Sequence, residues 1–347
     1  MVKYLVTTRL EVLEKASSGC QVFMVDGTVP GWLPESNADD SCGDYHFDHH
    51  EQGGEDIQID EMPPSEHLAI SPDLEGLIVT TQVDADACVA AAYLQLKNVS
   101  QENLQKLRAI AYDCDHLGVP SELLPYAEFA SNCVAAMKAN SDNLIKELGL
   151  PEARQSWTIE QKEAYSSLAF ERGTQSLIES VKGERKFPGE CGEAKPYWER
   201  QAQNTERLLN ENRVTFYKDC LLVDYKGWKG QIDPRCALRA YEWLYNNYGH
   251  KCKYPITLSQ REVYIKDEFK GWSYTLGCIP SHTRLELLDY TNGVFEALTK
   301  AERELNPNAE GWGGRRTVGG SGWNTPSQLL PQQIIDIALD EITKNLP

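Results

Sequence analysis

Three short stretches, Asp48-His49-His50, Asp84-Ala85-Asp86 and Asp113-Cys114-Asp115-His116, set carboxylates and imidazoles side by side, each where a strand is expected to have just ended. Carboxylate oxygens ligate hard cations such as Mg²⁺ and Mn²⁺, and a neutral imidazole among them tilts the choice toward Mn²⁺ or another transition metal. Two such ions a few Å apart bind the two oxygens of an in-line displacement at phosphorus and generate a hydroxide nucleophile near neutral pH. Each stretch alone also has an ordinary reading: Asp-His-His as a solvated turn, the Asp-Ala-Asp and Asp113/Asp115 pairs as helix caps. Their joint occurrence after apolar runs favours a shared divalent-metal site.

The elements that must position these groups follow from the flanking residues. Leu77-Ile78-Val79-Thr80-Thr81 is apolar and β-branched, and Ala87 to Leu96 is Ala-rich, so Asp84 and Asp86 are predicted on a strand-to-helix turn. Gln21 to Val25 reads as a buried strand delivering Asp26, and Leu107 to Tyr112 as a short strand delivering Asp113. In an open α/β sheet such turns line the crevice at the carboxyl ends of the strands. The order strand Lys3–Thr8, helix Arg9–Ala16, strand to Val25, strand Gly76–Thr80 and helix from Ala85 predicts a mainly parallel sheet flanked by helices. The Gly-, Pro- and Asn-rich run from Gly27 to Asp44 reads as a cover beside the site.

The motifs Asp26, Asp48-His49-His50 and Asp84-Ala85-Asp86 resemble those of the DHH phosphoesterase superfamily, which includes RecJ-like exonucleases, oligoribonucleases, cyclic-dinucleotide phosphodiesterases and manganese pyrophosphatases. The resemblance implies that Asp26 bridges two metals, that His49, Asp84, Asp86 and Asp113 or Asp115 complete their shells, that His50 faces the substrate phosphate and that Asp48 orients an imidazole. Two features depart from the family. Asp-x-Asp follows Asp-His-His here instead of preceding it, which implies a permuted sheet. Thr80 stands where the family has a His four residues before Asp84, with His116 or His46 as candidate substitutes.

Near the carboxyl end, Gly311-Trp312-Gly313-Gly314-Arg315-Arg316-Thr317-Val318-Gly319-Gly320-Ser321-Gly322 is expected to form a loop between helices Leu285–Leu305 and Pro331–Leu346. Gly313, Gly314, Gly319 and Gly320 would let backbone N–H groups approach an anion, and Arg315 and Arg316 would add phosphate donors; a tight surface loop is the plain alternative. The segment resembles the glycine-rich loop of the DHH-associated second domain, with Arg315 near its His position. No Gly-Lys-Ser/Thr follows the glycines, which excludes a Walker phosphate loop.

The 347 residues suffice for two domains: 1–195 with the metal-binding sheet and a helical insertion, a helical linker 196–213, and a smaller α/β domain 214–347. Ten scattered cysteines without Cys-x-x-Cys spacing exclude a zinc knuckle and a dense disulfide framework, and Cys88 and Cys114 read as small packing residues. With no secretory pattern or membrane-length apolar run, a cytoplasmic location is expected. The net charge of −18 argues against a surface for long duplex nucleic acid. A small phosphorylated substrate or short oligonucleotide fits better. The expected activity is a metal-dependent phosphohydrolase, first a phosphodiesterase on short oligonucleotides or dinucleotides and second a pyrophosphatase-like anhydride hydrolase, with a non-catalytic nucleotide sensor or scaffold as the rival.

Overall fold

A computed structural model describes residues 2–34, 44–47, 75–151, 157–228, 232–265, 268–322 and 325–344. Asp48, His49 and His50 therefore lie outside the described residues. The chain divides into two compact units, 1–199 and 200–347.

In the first unit the described strands β1 (Val2–Val6), β2 (Cys20–Val25), β3 (Tyr45–Phe47) and β4 (Glu75–Thr80) form one parallel sheet in the order β1-β4-β2-β3. Strand side chains alternate between faces, and both faces of this sheet are covered. Val22, Met24, Leu77 and Val79 pack with Leu13 of helix α1 (Leu10–Ser17). Phe23, Val25 and Ile78 pack on the other face with the larger core of α2 (Ala85–Tyr93), α3 (Gln101–His116), α4 (Ala127–Glu147) and α5 (Ile159–Val181). Helix α2 is buried almost throughout, and its Ala side chains let it lie close to the sheet. Helix α5 is fixed to the end of β1: Ser167 Oγ accepts from Val6 N at 2.9 Å, and Glu163 accepts from Thr7 Oγ1 and the Arg9 guanidinium.

The structure corrects one expected strand. Leu107 to Tyr112 lies inside helix α3, which Ser100 caps by accepting from Asn103 N at 3.2 Å. Leu107, Ile110 and Ala111 are buried at helical spacing, so the apolar run is one face of a helix. Asp113-Cys114-Asp115-His116 is consequently the last turn of α3, closed by Leu117 at φ 59°. Helix α6 (Lys195–Asn210) crosses the unit boundary; Tyr197 and Trp198 pack near its start and Leu208 is buried near its end.

The second unit carries β5 (Val214–Tyr217), β6 (Cys220–Asp224), β7 (Ile256–Ile265), β8 (Glu268–Cys278), β9 (Trp312–Gly314) and β10 (Gly319–Ser321) in the order β5-β6-β7-β8-β10-β9 among the described residues. Among the described strands of this unit only β6 and β7 pair parallel, joined by helix α7 (Arg235–Tyr248). The expected helix from Leu285 is shorter: Leu285–Leu287 is a single 3₁₀ turn, and α8 spans Val294–Leu305. An Asp289 carboxylate accepting from Thr291 N and Gly293 at φ 91° form the turn between them. Helix α9 (Pro331–Lys344) packs Ile334, Ile335, Ala338 and Ile342 into the core.

The glycine-rich segment also departs from expectation, because it is a β-hairpin. Gly319 and Gly320 pair with Leu276 and Thr275 of β8, and on their other side with Gly314 and Gly313. Gly314 sits at φ 147°, where an added Cβ would lie 2.3 Å from Gly319 Cα, so the close crossing of the two strands requires glycine.

Burial gives this fold a pH dependence. The thiols of Cys220, Cys236 and Cys252 are each pushed up to about 12 by burial from an ordinary 9.0. A group whose folded pKa exceeds its unfolded one holds its proton more tightly in the native state, so its contribution is intact below pH 9 and lost toward pH 12. The urea midpoint of the reduced protein is expected to fall progressively between about pH 9 and 12; a flat profile there would contradict this burial.

Candidate metal centre

Strands β4, β2 and β3 are neighbours, and their carboxyl ends lead into Asp84, Asp26 and, next in sequence after Phe47, Asp48. Two hydrogen bonds hold the first turns together. Asp26 N donates to Phe47 O at 2.9 Å, joining the ends of β2 and β3. Thr80, fully buried at the end of β4, has its hydroxyl 3.2 Å from Asp26 O and 2.9 Å from Gln82 O. Thr80 thus serves the backbone of both turns. Asp26 itself lies at φ 49°, a left-handed conformation that Asp tolerates better than most residues and that clusters at functional sites. Gly27 follows at φ 137°, where a Cβ would lie 2.2 Å from Thr81 Oγ1.

Asp84 is the N-cap of α2, accepting from Ala87 N at 3.3 Å through Oδ1 only. Asp86 lies two residues on, in the first turn, and is fully buried. The positive end of the helix dipole favours carboxylates here, by about 0.3–1 kcal/mol each. From α3, Cys114 completes a group in which one ligand atom of each of Asp84, Asp86 and Cys114 lies within 4.8 Å of the others. In the sequence Cys114 reads as packing; its residue type offers a ligand, but its spacing gives no reason to choose it over Asp113 or Asp115.

Burial first, and the carboxylates after it, set the state of the thiols at this site. Burial pushes the Cys114 thiol well above its ordinary range, with Asp86, Asp84 and Asp115 adding and Lys138 opposing. Burial likewise raises Cys88, with Asp84, Asp86 and Asp26 adding and a hydrogen bond to Thr174 opposing. Asp26 is thus close enough to be felt at Cys88, yet among the described residues it is not part of the 4.8 Å group. Nor are Asp113, Asp115 and His116. Asp113 is buried and acts on Cys133 of α4, whose thiol is raised by burial and by Glu190, Asp113 and Glu193. His116 packs its ring against Tyr112 at 5.6 Å. His46 on β3 makes a 2.7 Å hydrogen bond with Thr28 Oγ1 and an edge contact with Trp32.

In the second unit, the hairpin turn is tight, with Arg315 N donating to Val318 O at 2.6 Å and the Arg315 side chain buried. Arg316 donates through Nε to Leu288 O at 3.2 Å and through Nη2 to Glu286 O at 2.9 Å. Tyr290 N in turn donates to Arg316 O at 2.8 Å. These bonds anchor the hairpin to the 286–290 segment. The ladder also occupies backbone groups of Gly313, Gly314, Gly319 and Gly320 that an anion cradle would use.

No family model matches the chain. No curated protein matches it either. Among solved structures, a pGpG-specific phosphodiesterase, PggH, from Vibrio cholerae aligns over 94% of this chain and 98% of its own, with 12% identity and a TM-score of 0.35. An uncharacterized protein from Helicobacter pylori G27 aligns over 71% of this chain and 62% of its own, with 12% identity and a TM-score of 0.19. Scores this low leave fold and function to be argued from the chain itself.

Two measurements follow from this geometry. Thr80→Val removes the donor facing two carbonyls in a buried turn, so unfolding free energy should drop by about 1–3 kcal/mol; an unchanged denaturation midpoint would mean that the hydroxyl does not hold the turns. If Cys114 ligates, the protein loaded with Co²⁺ should show a thiolate-to-cobalt charge-transfer band that Cys114→Ser abolishes. Its absence from the parent spectrum would leave Asp84 and Asp86 as an oxygen-only pair.

Proposed function

We propose that this chain is a metal-dependent phosphohydrolase whose substrates are phosphodiesters of short oligonucleotides or dinucleotides. The observation that carries the reading is the Asp84–Asp86–Cys114 group at the carboxyl end of a parallel strand, where open α/β sheets place their ligands.

The donor set suits a divalent cation. Asp84 and Asp86 supply oxygens for Mn²⁺ or Mg²⁺, and Cys114 adds a softer donor that favours transition metals over Mg²⁺. When bound, the ion supplies Lewis-acid stabilisation of charge at phosphorus and acidifies water near neutral pH.

The chain's own residues do the rest. The cap bond to Ala87 N fixes the Asp84 carboxylate and leaves its second oxygen outside the cap. Burial in α2 fixes Asp86. The N-terminus of α2 favours negative charge, which suits a substrate phosphate as well as the two carboxylates. Asp26 is assigned to the same site because β2 adjoins β4 and because its conformation is one that functional sites retain. His49 is assigned to ligation, Asp48 to orienting an imidazole and His50 to the substrate phosphate, on the strength of their place in sequence directly after β3.

The test is a hydrolysis screen over dinucleotides, short RNA and DNA, 3′-phosphoadenosine phosphate and pyrophosphate with Mn²⁺, Mg²⁺, Co²⁺ or Zn²⁺. Turnover of a dinucleotide that EDTA abolishes is expected, with Asp84→Asn and Asp86→Asn each losing roughly 100-fold or more, beyond the 10–100-fold cost of disturbing an outer-shell partner. Turnover indifferent to EDTA, or none with any ion, would contradict the proposal.

A further inference from the structure

The carboxyl end of α7 carries aromatic surface that the metal centre does not use. Cys236, Ala237, Ala240 and Tyr241 bury the inner face of this helix. Trp243 and Tyr248 stay 42% and 65% exposed, and Tyr245 is exposed with them. The rings form a connected strip. Trp243 meets Tyr248 edge-on at 5.5 Å, Tyr248 meets His250 at 6.1 Å, and His250 stacks on Phe216 of β5 at 5.1 Å and 24°. Gly249, at φ 72°, supplies the left-handed cap that turns the chain back so that His250 lies against Phe216.

Positive charge adjoins this strip in a chain of net charge −18. Lys251 and Lys253 are exposed, and among the described residues neither makes an ion pair; the Lys253 ammonium lies 5.2 Å over the Tyr254 ring. His282 bonds Cys252 O at 3.1 Å, which brings the turn bearing exposed Arg284 beside these lysines. Exposed rings next to cations without an ion pair match what a single strand presents, since every base has a π-face and every linkage one negative charge. A second copy of this chain carries the same net charge of −18, so overall repulsion opposes self-association through this strip.

We infer that the Trp243–Tyr248–His250 strip with Lys251 and Lys253 binds single-stranded nucleic acid, bases stacking on the rings and phosphates lying over the lysines. The carbonyl end of α7 disfavours anions on the helix axis, which sets the phosphates to the lysine side of the strip. This site goes beyond the hydrolytic reading and needs no metal.

Fluorescence anisotropy of a labelled eight-nucleotide oligothymidylate, titrated with the full chain in EDTA at low salt, tests it. Binding is expected, with Trp243→Ala/Tyr248→Ala weakening it at least fivefold and Trp243→Phe largely retaining it. Lys251→Ala/Lys253→Ala should weaken binding and flatten the slope of log affinity against log salt by about 1.4, the share of two single-strand phosphate contacts. The EDTA keeps the metal centre unloaded, so binding that survives there and falls with the aromatic or lysine variants belongs to this strip. No binding by the parent, or equal affinity and salt slope in all variants, would overturn the inference. So would a patch whose aromatic variants lose only a concentration-dependent dimer in sedimentation while the parent fails to bind the oligonucleotide.

Discussion

Like charges held close inside a protein need compensation, and this structure holds Asp84 and Asp86 within 4.8 Å of each other and of the Cys114 sulfur, with Asp86 fully buried. The N-terminus of α2 offsets part of that cost. The last turn of α3 does the opposite, since a helix presents its negative end there and adds Asp113 and Asp115. On the proposed reading a divalent cation would add opposing charge here, beside Lys138, which already acts on Cys114. The surrounding elements build the group: β4 delivers the acidic turn, α2 buries it and the last turn of α3 places Cys114 beside it.

The scaffold explains how such a site persists. Strands β4 and β2 are buried on both faces by different cores, so their ends cannot shift without disturbing both. The Thr80 hydroxyl and the Asp26 N–H then tie the turns after β4 and β2 to one another and to the end of β3. Thr80 acts here as a structural donor, and Cys114 offers a potential ligand atom from another element. An ion held by this group would meet a mixed oxygen–sulfur donor set.

Much of this was legible in the sequence where local pattern and tertiary role coincide. The apolar runs before Asp26 and Asp84 and the Ala-rich stretch after Asp84 each fix an element by composition alone, and the structure has those strands and that helix. Leu107 to Tyr112 misled because six apolar-rich residues fit a strand as well as one helix face, and Ser100 seven residues earlier was the deciding cap. The glycine-rich hairpin was illegible for another reason: glycines have little strand propensity, and pairing with β8 decides their conformation. Cys114 was missed because its neighbours in space, Asp84 and Asp86, are supplied by a different helix.

Anomalous diffraction from crystals soaked in Mn²⁺ tests the central claim most directly. The account predicts a peak about 2.0–2.6 Å from carboxylate oxygens of both Asp84 and Asp86. Peaks confined to other carboxylates, with Asp84 and Asp86 bare at saturating Mn²⁺, would contradict it.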